Sequence, residues 1–249
     1  MEDEGQCLCD KVLANVKAME EIIAKTGAED AEFIAALCSI NDEVYLGPST
    51  KGGLTYVDDP APCPTGQLVG DFHTHPEPEP SEEQVQTEFS ETVRFQPGDP
   101  LLRAGSDLYG FVKKLAEPVS PKLMVNCLGT KYRGDNYIHC QLASKKHLTP
   151  NEVKNLNQLV GRAEHLTDSI ESLEKQYERM DIRSEQADKI EQEIVRLSKE
   201  EVNAHAAVLD FAKSKHIFED CAPKEGLMPA TYIITQGRKV KPYIRTLRR

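Results

Sequence analysis

The feature that most constrains this chain is a short apolar segment that ends in two histidines and a proline, QLVGDFHTHP at residues 67–76. In an extended strand, residues i and i+2 point to the same face, so the imidazoles of His73 and His75 should reach toward one point. Pro76 ends the strand because it has no N–H to donate to a neighbour. Two imidazoles on one face are the start of a metal site, although two polar residues at a strand end need no metal.

The net charge of the chain and the length of its apolar segments argue against two classes of partner. Charged residues make up 29% of the 249 residues and the formal net charge is -11, which disfavours binding to nucleic acid. No segment approaches the ~20 apolar residues of a membrane span, and the acidic start MEDE lacks the features of a signal peptide. We therefore expect neither a membrane nor a nucleic acid as a partner.

The seven cysteines are odd in number and irregularly spaced. Cys38, Cys127 and Cys140 lie in apolar runs, as small core residues do. Cys7 and Cys9 are too far from another pair of ligands to indicate a zinc finger. These observations predict reduced thiols and a cytoplasmic location.

Residues 1–146 predict an α+β domain, with the order of elements expected of a three-layer α/β/α arrangement. Apolar residues at helical or strand spacing alternate with turn signals, and a proline- and glutamate-rich insertion at residues 77–105 is typical of a surface loop. The expected helices and strands lie at residues 7–25, 31–40, 43–47, 67–75, 106–117, 122–128 and 137–142.

The remainder of the chain predicts two further parts. Apolar residues at steps of three and four over residues 147–218 predict an antiparallel helical hairpin that resembles a coiled coil, with Thr149 as N-cap and Pro150 in the first turn. Such a seam packs on its neighbour or a dimer mate, or it forms a surface for a partner protein. Residues 219–249 predict a basic tail with a short β-hairpin.

A catalytic zinc site needs a third protein ligand and a base beside the bound water. Asp107 is the best third ligand, because the N–H groups of a helix start can orient a carboxylate. Asp71 precedes His73 by two residues, a position that more often supports a ligand than binds the metal. Glu32, at the start of the first strand, is the candidate base, although a solvated glutamate would also suit that position.

Glu32, then His73-Thr74-His75-Pro76, then Ser106-Asp107 resemble the JAMM (MPN+) metalloprotease family, whose pattern is a Glu, a His-x-His-Pro and a Ser-x-x-Asp. The order of elements over residues 8–144 is similar to the MPN fold, which has a sheet like that of cytidine deaminases. The resemblance implies that His73, His75 and Asp107 ligate one Zn²⁺ per chain. It also implies that Glu32 is the general base on the zinc-activated water.

The chain departs from this family pattern in two places. Ala104 stands where the family has the serine that stabilises the oxyanion, and Ser106 is the candidate substitute as a catalytic residue. The segment between His75 and Asp107 is also longer than the family's usual spacer. Within it, PSEEQ at residues 80–84 imitates the motif but has Gln84 where a ligand carboxylate is needed.

The resemblance implies a zinc-dependent isopeptidase that removes a ubiquitin-like modifier from lysine conjugates. The alternative is an MPN-like scaffold or dimerisation module without catalysis, which docks partners through the helical hairpin. The set of Glu32, the two histidines and Asp107 favours the enzyme, whereas Ala104 favours the scaffold. A zinc hydrolase of small molecules is a third reading, because ligands alone do not define a substrate.

Overall fold

The computed structural model describes residues 4–53, 59–76, 107–132, 135–180, 184–221, 230–233 and 241–246. Ser106, Ala104, the insertion at 77–105 and most cations of the basic tail lie outside these residues. The helices are α1 (Glu4–Leu13), α2 (Val16–Glu29), α3 (Asp107–Ala116), α4 (Pro150–Tyr177) and α5 (Glu185–Ser214). The strands are β1 (Phe33–Ile40), β2 (Glu43–Lys51), β3 (Gln67–His75), β4 (Leu123–Tyr132), β5 (Asp135–Ser144), β6 (Phe218–Asp220), β7 (Ala230–Ile233) and β8 (Lys241–Thr246).

These elements form two compact units, and the α+β class expected from the sequence is confirmed. The first unit holds α1, α2 and all the strands, from Met1–Phe89, Val119–Lys146 and Ile217–Arg249. The second holds α3, α4 and α5, from Ser90–Pro118 and His147–His216. The boundaries drawn from the sequence, at 1–146, 147–218 and 219–249, follow chain order. The compact units instead group α3 with the later helices and the C-terminal strands with the sheet.

The first unit is built on one mixed sheet with the strand order β2-β1-β3-β4-β5-β8-β7, in which β6 also pairs with β5. β3 runs antiparallel to β1 and parallel to β4. The predicted C-terminal hairpin is confirmed, since β7 and β8 pair antiparallel. β3 therefore has a hydrogen-bonded neighbour on both sides, which holds its side chains in a defined register.

One face of the sheet packs against α1 and α2. Met19 and Ile23 of α2 meet Phe72 of β3 in this core. A Cβ at Gly129 of β4 would lie 2.5 Å from the Phe72 ring, so only glycine leaves room for that ring. Gly70 has φ of +153°, and a Cβ there would lie 1.6 Å from the carbonyl oxygen of Val125, so β3 also requires a glycine where it meets β4.

The sequence predicts one N-terminal helix over residues 7–25, whereas the structure has two, α1 and α2. The Asn15 side chain lies at the break, where its Nδ2 donates to the carbonyl oxygens of Lys11 (3.0 Å) and Val44 (2.8 Å). Gly27 does not stop the second helix, which continues to Glu29 and is capped by Asp30 in the left-handed region at φ 48°. The side-chain contact of Asn15 with β2 is a tertiary interaction that periodicity does not reveal.

Six of the seven cysteines form disulfides: Cys9–Cys221, Cys38–Cys63 and Cys127–Cys140. The expectation of reduced thiols is therefore wrong for these residues, and it no longer supports a cytoplasmic location. Cys7 is the cysteine left free. Irregular spacing along the chain concealed these pairs, because strand register and helix packing bring them together; Cys127 and Cys140 lie directly opposite each other on β4 and β5.

The helical unit buries the seam that the sequence predicts. Thr149 is the N-cap of α4, where its hydroxyl accepts from the Glu152 N–H and Glu152 accepts from the Thr149 N–H, which confirms the predicted helix start. Among the described residues, no helix has both the length and the apolar character needed to cross a membrane. The buried seam residues of α4 are Leu156, Val160, Ala163, Leu166 and Ile170.

His205 of α5 is buried in this unit. Its ring stacks on Tyr109 of α3 with ring centroids 3.5 Å apart, and neither ring nitrogen has a hydrogen-bond partner within the described ranges. Burial lowers the pKa of His205 to about 4; the nearby Lys113 ammonium also lowers it, and the Glu164 carboxylate opposes the shift. The imidazole is therefore neutral in the folded protein at neutral pH.

We expect the free energy of unfolding to fall as the pH drops from 6.5 toward 4. In that window the unfolded state binds a proton at His205 and the folded state does not, so acid favours unfolding. The full loss is about 3 kcal/mol for a shift of this size. Urea unfolding at a series of pH values measures it, with His205→Phe expected to remove this part of the pH dependence. The matched control is His165→Phe, at an exposed histidine of α4; an equal effect of both variants would contradict the assignment.

Candidate metal centre

β3 presents His73 and His75 on the face of the sheet opposite the α1 and α2 core. Both side chains are buried, with 4% and 9% of their surface exposed, and their ring centroids lie 5.2 Å apart. The apolar start of β3 and its pairing on both sides fix this arrangement. Two imidazoles therefore reach the same small region, as the i, i+2 spacing predicts.

Asp71 shares this face and supports His73. Its Oδ1 lies 3.9 Å from Nδ1 of His73, and both side chains are buried. At this distance the interaction is electrostatic rather than a close hydrogen bond. A carboxylate on the Nδ1 side favours the tautomer with its proton on Nδ1, which keeps the lone pair of Nε2 suited to binding a metal.

Glu32 precedes β1, and its position relative to the histidines follows from extending the register of β1 on β3. β1 pairs Ile34 with His73, and continuing this antiparallel register by two residues brings Glu32 opposite His75. Alternation along the strand puts its side chain on the same face as Ile34, and 8% of Glu32 is exposed. Its N–H donates to the Gly53 carbonyl at 2.8 Å, and its carbonyl accepts from the Gly52 N–H at 2.9 Å, which anchors this residue beyond the end of β2.

Asp107 is the first residue of α3 and is half-buried. One donor atom from each of His73, His75 and Asp107 lies within 4.8 Å of the others, so the three residues could hold a metal ion. Two imidazole nitrogens and one carboxylate oxygen fit zinc, whose catalytic sites use three protein ligands and leave a fourth position open. The same donors also suit other divalent transition metals. Ser106, the candidate oxyanion donor, is not among the described residues.

Sequence reasoning did not single out Thr74, the residue between the two histidines. Its hydroxyl is fully buried on the core face, where it accepts from the Phe33 N–H at 3.0 Å and lies 2.5 Å from the hydroxyl of Thr26 in α2. The available signal was a hydroxyl residue two positions after Phe72, on the face of β3 that the apolar core covers. Periodicity assigns such a position to the core and says nothing of its partners.

Comparisons with protein-family models, with curated proteins and with solved structures found no match to this chain. The basis for a functional proposal is therefore the chemistry of the side chains described above.

Proposed function

We propose that this protein is a zinc-dependent isopeptidase of the JAMM (MPN+) type that removes a ubiquitin-like modifier from lysine conjugates. The observation that carries the proposal is the proximity of His73, His75 and Asp107, whose donor atoms lie within 4.8 Å of one another. The burial of Glu32 at the register position opposite His75 adds a candidate base. An MPN-type three-layer arrangement of the first domain is part of the proposal.

Each of these residues has a role in the proposed reaction. His73, His75 and Asp107 would hold one zinc ion, which when bound would supply Lewis-acid polarisation of the scissile carbonyl and a lower pKa for water. Glu32 takes a proton from the attacking water and passes it to the lysine amine that leaves. The burial of Glu32 strengthens the electrostatic interactions of its carboxylate within the site, because charges interact more strongly away from bulk water.

Two further residues complete the proposed site. Asp71 keeps the His73 ring in the tautomer that binds metal through Nε2, from its position 3.9 Å from Nδ1. Ser106 donates a hydrogen bond to the developing oxyanion, in place of the family serine that Ala104 replaces. The role of Ser106 rests on the sequence resemblance alone.

The second candidate function is a scaffold that binds partner proteins or a second copy through α4 and α5. The observation that favours it is Ala104, since a protein without catalysis does not need the family serine. The convergence of two imidazoles and one carboxylate within 4.8 Å of one another favours the enzyme, because a scaffold does not need such a set of metal-binding groups.

The proposal is tested by incubating the zinc-loaded protein with a panel of lysine-linked conjugates of different ubiquitin-like modifiers. We expect release of the modifier from at least one conjugate, loss of cleavage with a chelator, and recovery when zinc is restored. The matched control is the same modifier as a linear α-peptide fusion, which separates isopeptidase from general peptidase activity. Zinc binding without cleavage of any conjugate would favour the scaffold.

A further inference from the structure

The paired residues of β1 and β3 end at Ile34, two residues from Glu32. The pairs run from Ser39–Gln67 to Ile34–His73. At Phe33, the residue before Ile34, the backbone N–H donates to the side-chain oxygen of Thr74 at 3.0 Å. At Phe33, the residue that follows Glu32, a side chain of β3 therefore links the two strands.

The Thr74 hydroxyl is itself held by α2. Thr26 Oγ1 lies 2.5 Å from Thr74 Oγ1 and 3.2 Å from the Ile22 carbonyl oxygen, and the Phe33 carbonyl oxygen lies 3.3 Å from Thr74 Oγ1. Since each hydroxyl has one proton, either Thr74 donates to Thr26 and Thr26 to Ile22, or Thr26 donates to Thr74 and Thr74 to Phe33. In both arrangements Thr74 accepts from the Phe33 N–H.

We propose that Thr74, supported by Thr26, is a positioning residue that sets the place of Glu32 relative to His73 and His75. Thr74 lies between the two histidines, and Phe33 directly follows Glu32, so a shift between these two backbones moves the carboxylate relative to both imidazoles. A general base must lie within about 2.6–3.2 Å of the proton that it takes, and small displacements lower the rate. The inference rests on the proposed function for the role of Glu32.

The bond itself is tested in the metal-free protein by hydrogen exchange of the Phe33 amide, followed by NMR. Thr74→Val keeps the shape and removes the hydroxyl, so Phe33 exchange should become about tenfold faster or more. Thr74→Ser retains the hydroxyl and should restore slow exchange. The control is Thr50→Val on β2, opposite Ile34, which makes the same chemical change outside this contact. Unchanged Phe33 exchange in Thr74→Val would overturn the inference.

The positioning role is tested by steady-state cleavage of the best conjugate from the panel. In Thr74→Val, kcat should fall about tenfold or more while KM and the bound zinc stay unchanged, and Thr74→Ser should recover the loss. Unchanged kcat together with faster exchange would overturn the positioning role. If Thr74→Val does not fold, Thr26→Val carries the same kcat test because it removes the support of Thr74. A wild-type protein that binds zinc and cuts no conjugate would overturn the proposed function, a failure separate from that of the exchange experiment.

Discussion

Replacing Glu32 by glutamine is expected to lower the rate of isopeptide cleavage by about 10²–10⁴-fold and to leave zinc binding unchanged. Glutamine has nearly the same shape as glutamate, but its neutral amide cannot take a proton from water. Glu32 is not one of the three residues whose donors could hold the metal, so its charge is not needed for binding. The measurements are kcat on a cleaved conjugate and zinc content of the same preparation.

The matched control for this variant is Glu43→Gln, at an exposed glutamate that starts β2 in the same sheet. It should cleave at the wild-type rate. Retained cleavage in Glu32→Gln would refute the assignment of the base. Loss of zinc in Glu32→Gln would instead make Glu32 a ligand, and the roles of the site residues would have to be reassigned.

Removing the Cys9–Cys221 disulfide is expected to lower the free energy of unfolding by about 5 kcal/mol. The two cysteines are separated by 212 residues, and a loop of that length greatly restricts the unfolded chain. The change is the double variant Cys9→Ala/Cys221→Ala, because both residues are buried and a lone thiol would remain in a single variant. Denaturant unfolding of the double variant and the wild type gives the difference.

The control for this prediction is Cys38→Ala/Cys63→Ala, which opens a loop of 25 residues. The same chain-entropy argument gives a smaller loss, about 3.5 kcal/mol. The first double variant should therefore unfold at a lower denaturant concentration than the second. Equal midpoints, or a wild-type protein in which seven thiols react under non-reducing conditions, would contradict the assigned pairs.

Patterns within short segments of the sequence predicted the elements whose formation depends on residues close together in the chain. The apolar run and the proline at residues 67–76 predicted the strand that carries His73 and His75, and Thr149 with Pro150 predicted the start of α4. The grouping of α3 with the later helices depends instead on packing between distant parts of the chain. No pattern within one segment reports such packing.

The candidate site was likewise predicted in part from local sequence, and the rest depends on packing between distant segments. His73, His75, Asp107 and Glu32 were identified by residue type, order and resemblance. The position of Glu32 relative to His75 follows only from extending the register of β1 on β3 by two residues. The contact of Thr74 with Phe33 and Thr26 required the pairing of β1 with β3 and the packing of α2. The disulfides were missed for the same reason, since Cys127 and Cys140 become neighbours only through the pairing of β4 with β5.

The most direct test of the metal centre is elemental analysis of the protein purified without added metal, beside the double variant His73→Ala/His75→Ala. The histidine control is His147→Ala/His165→Ala, at two exposed residues of the helical unit. We predict about one zinc per chain in the wild type and the control, and none in the His73→Ala/His75→Ala variant. A wild-type protein that carries no metal and takes up none on titration with zinc would contradict the metal centre and the isopeptidase activity built on it.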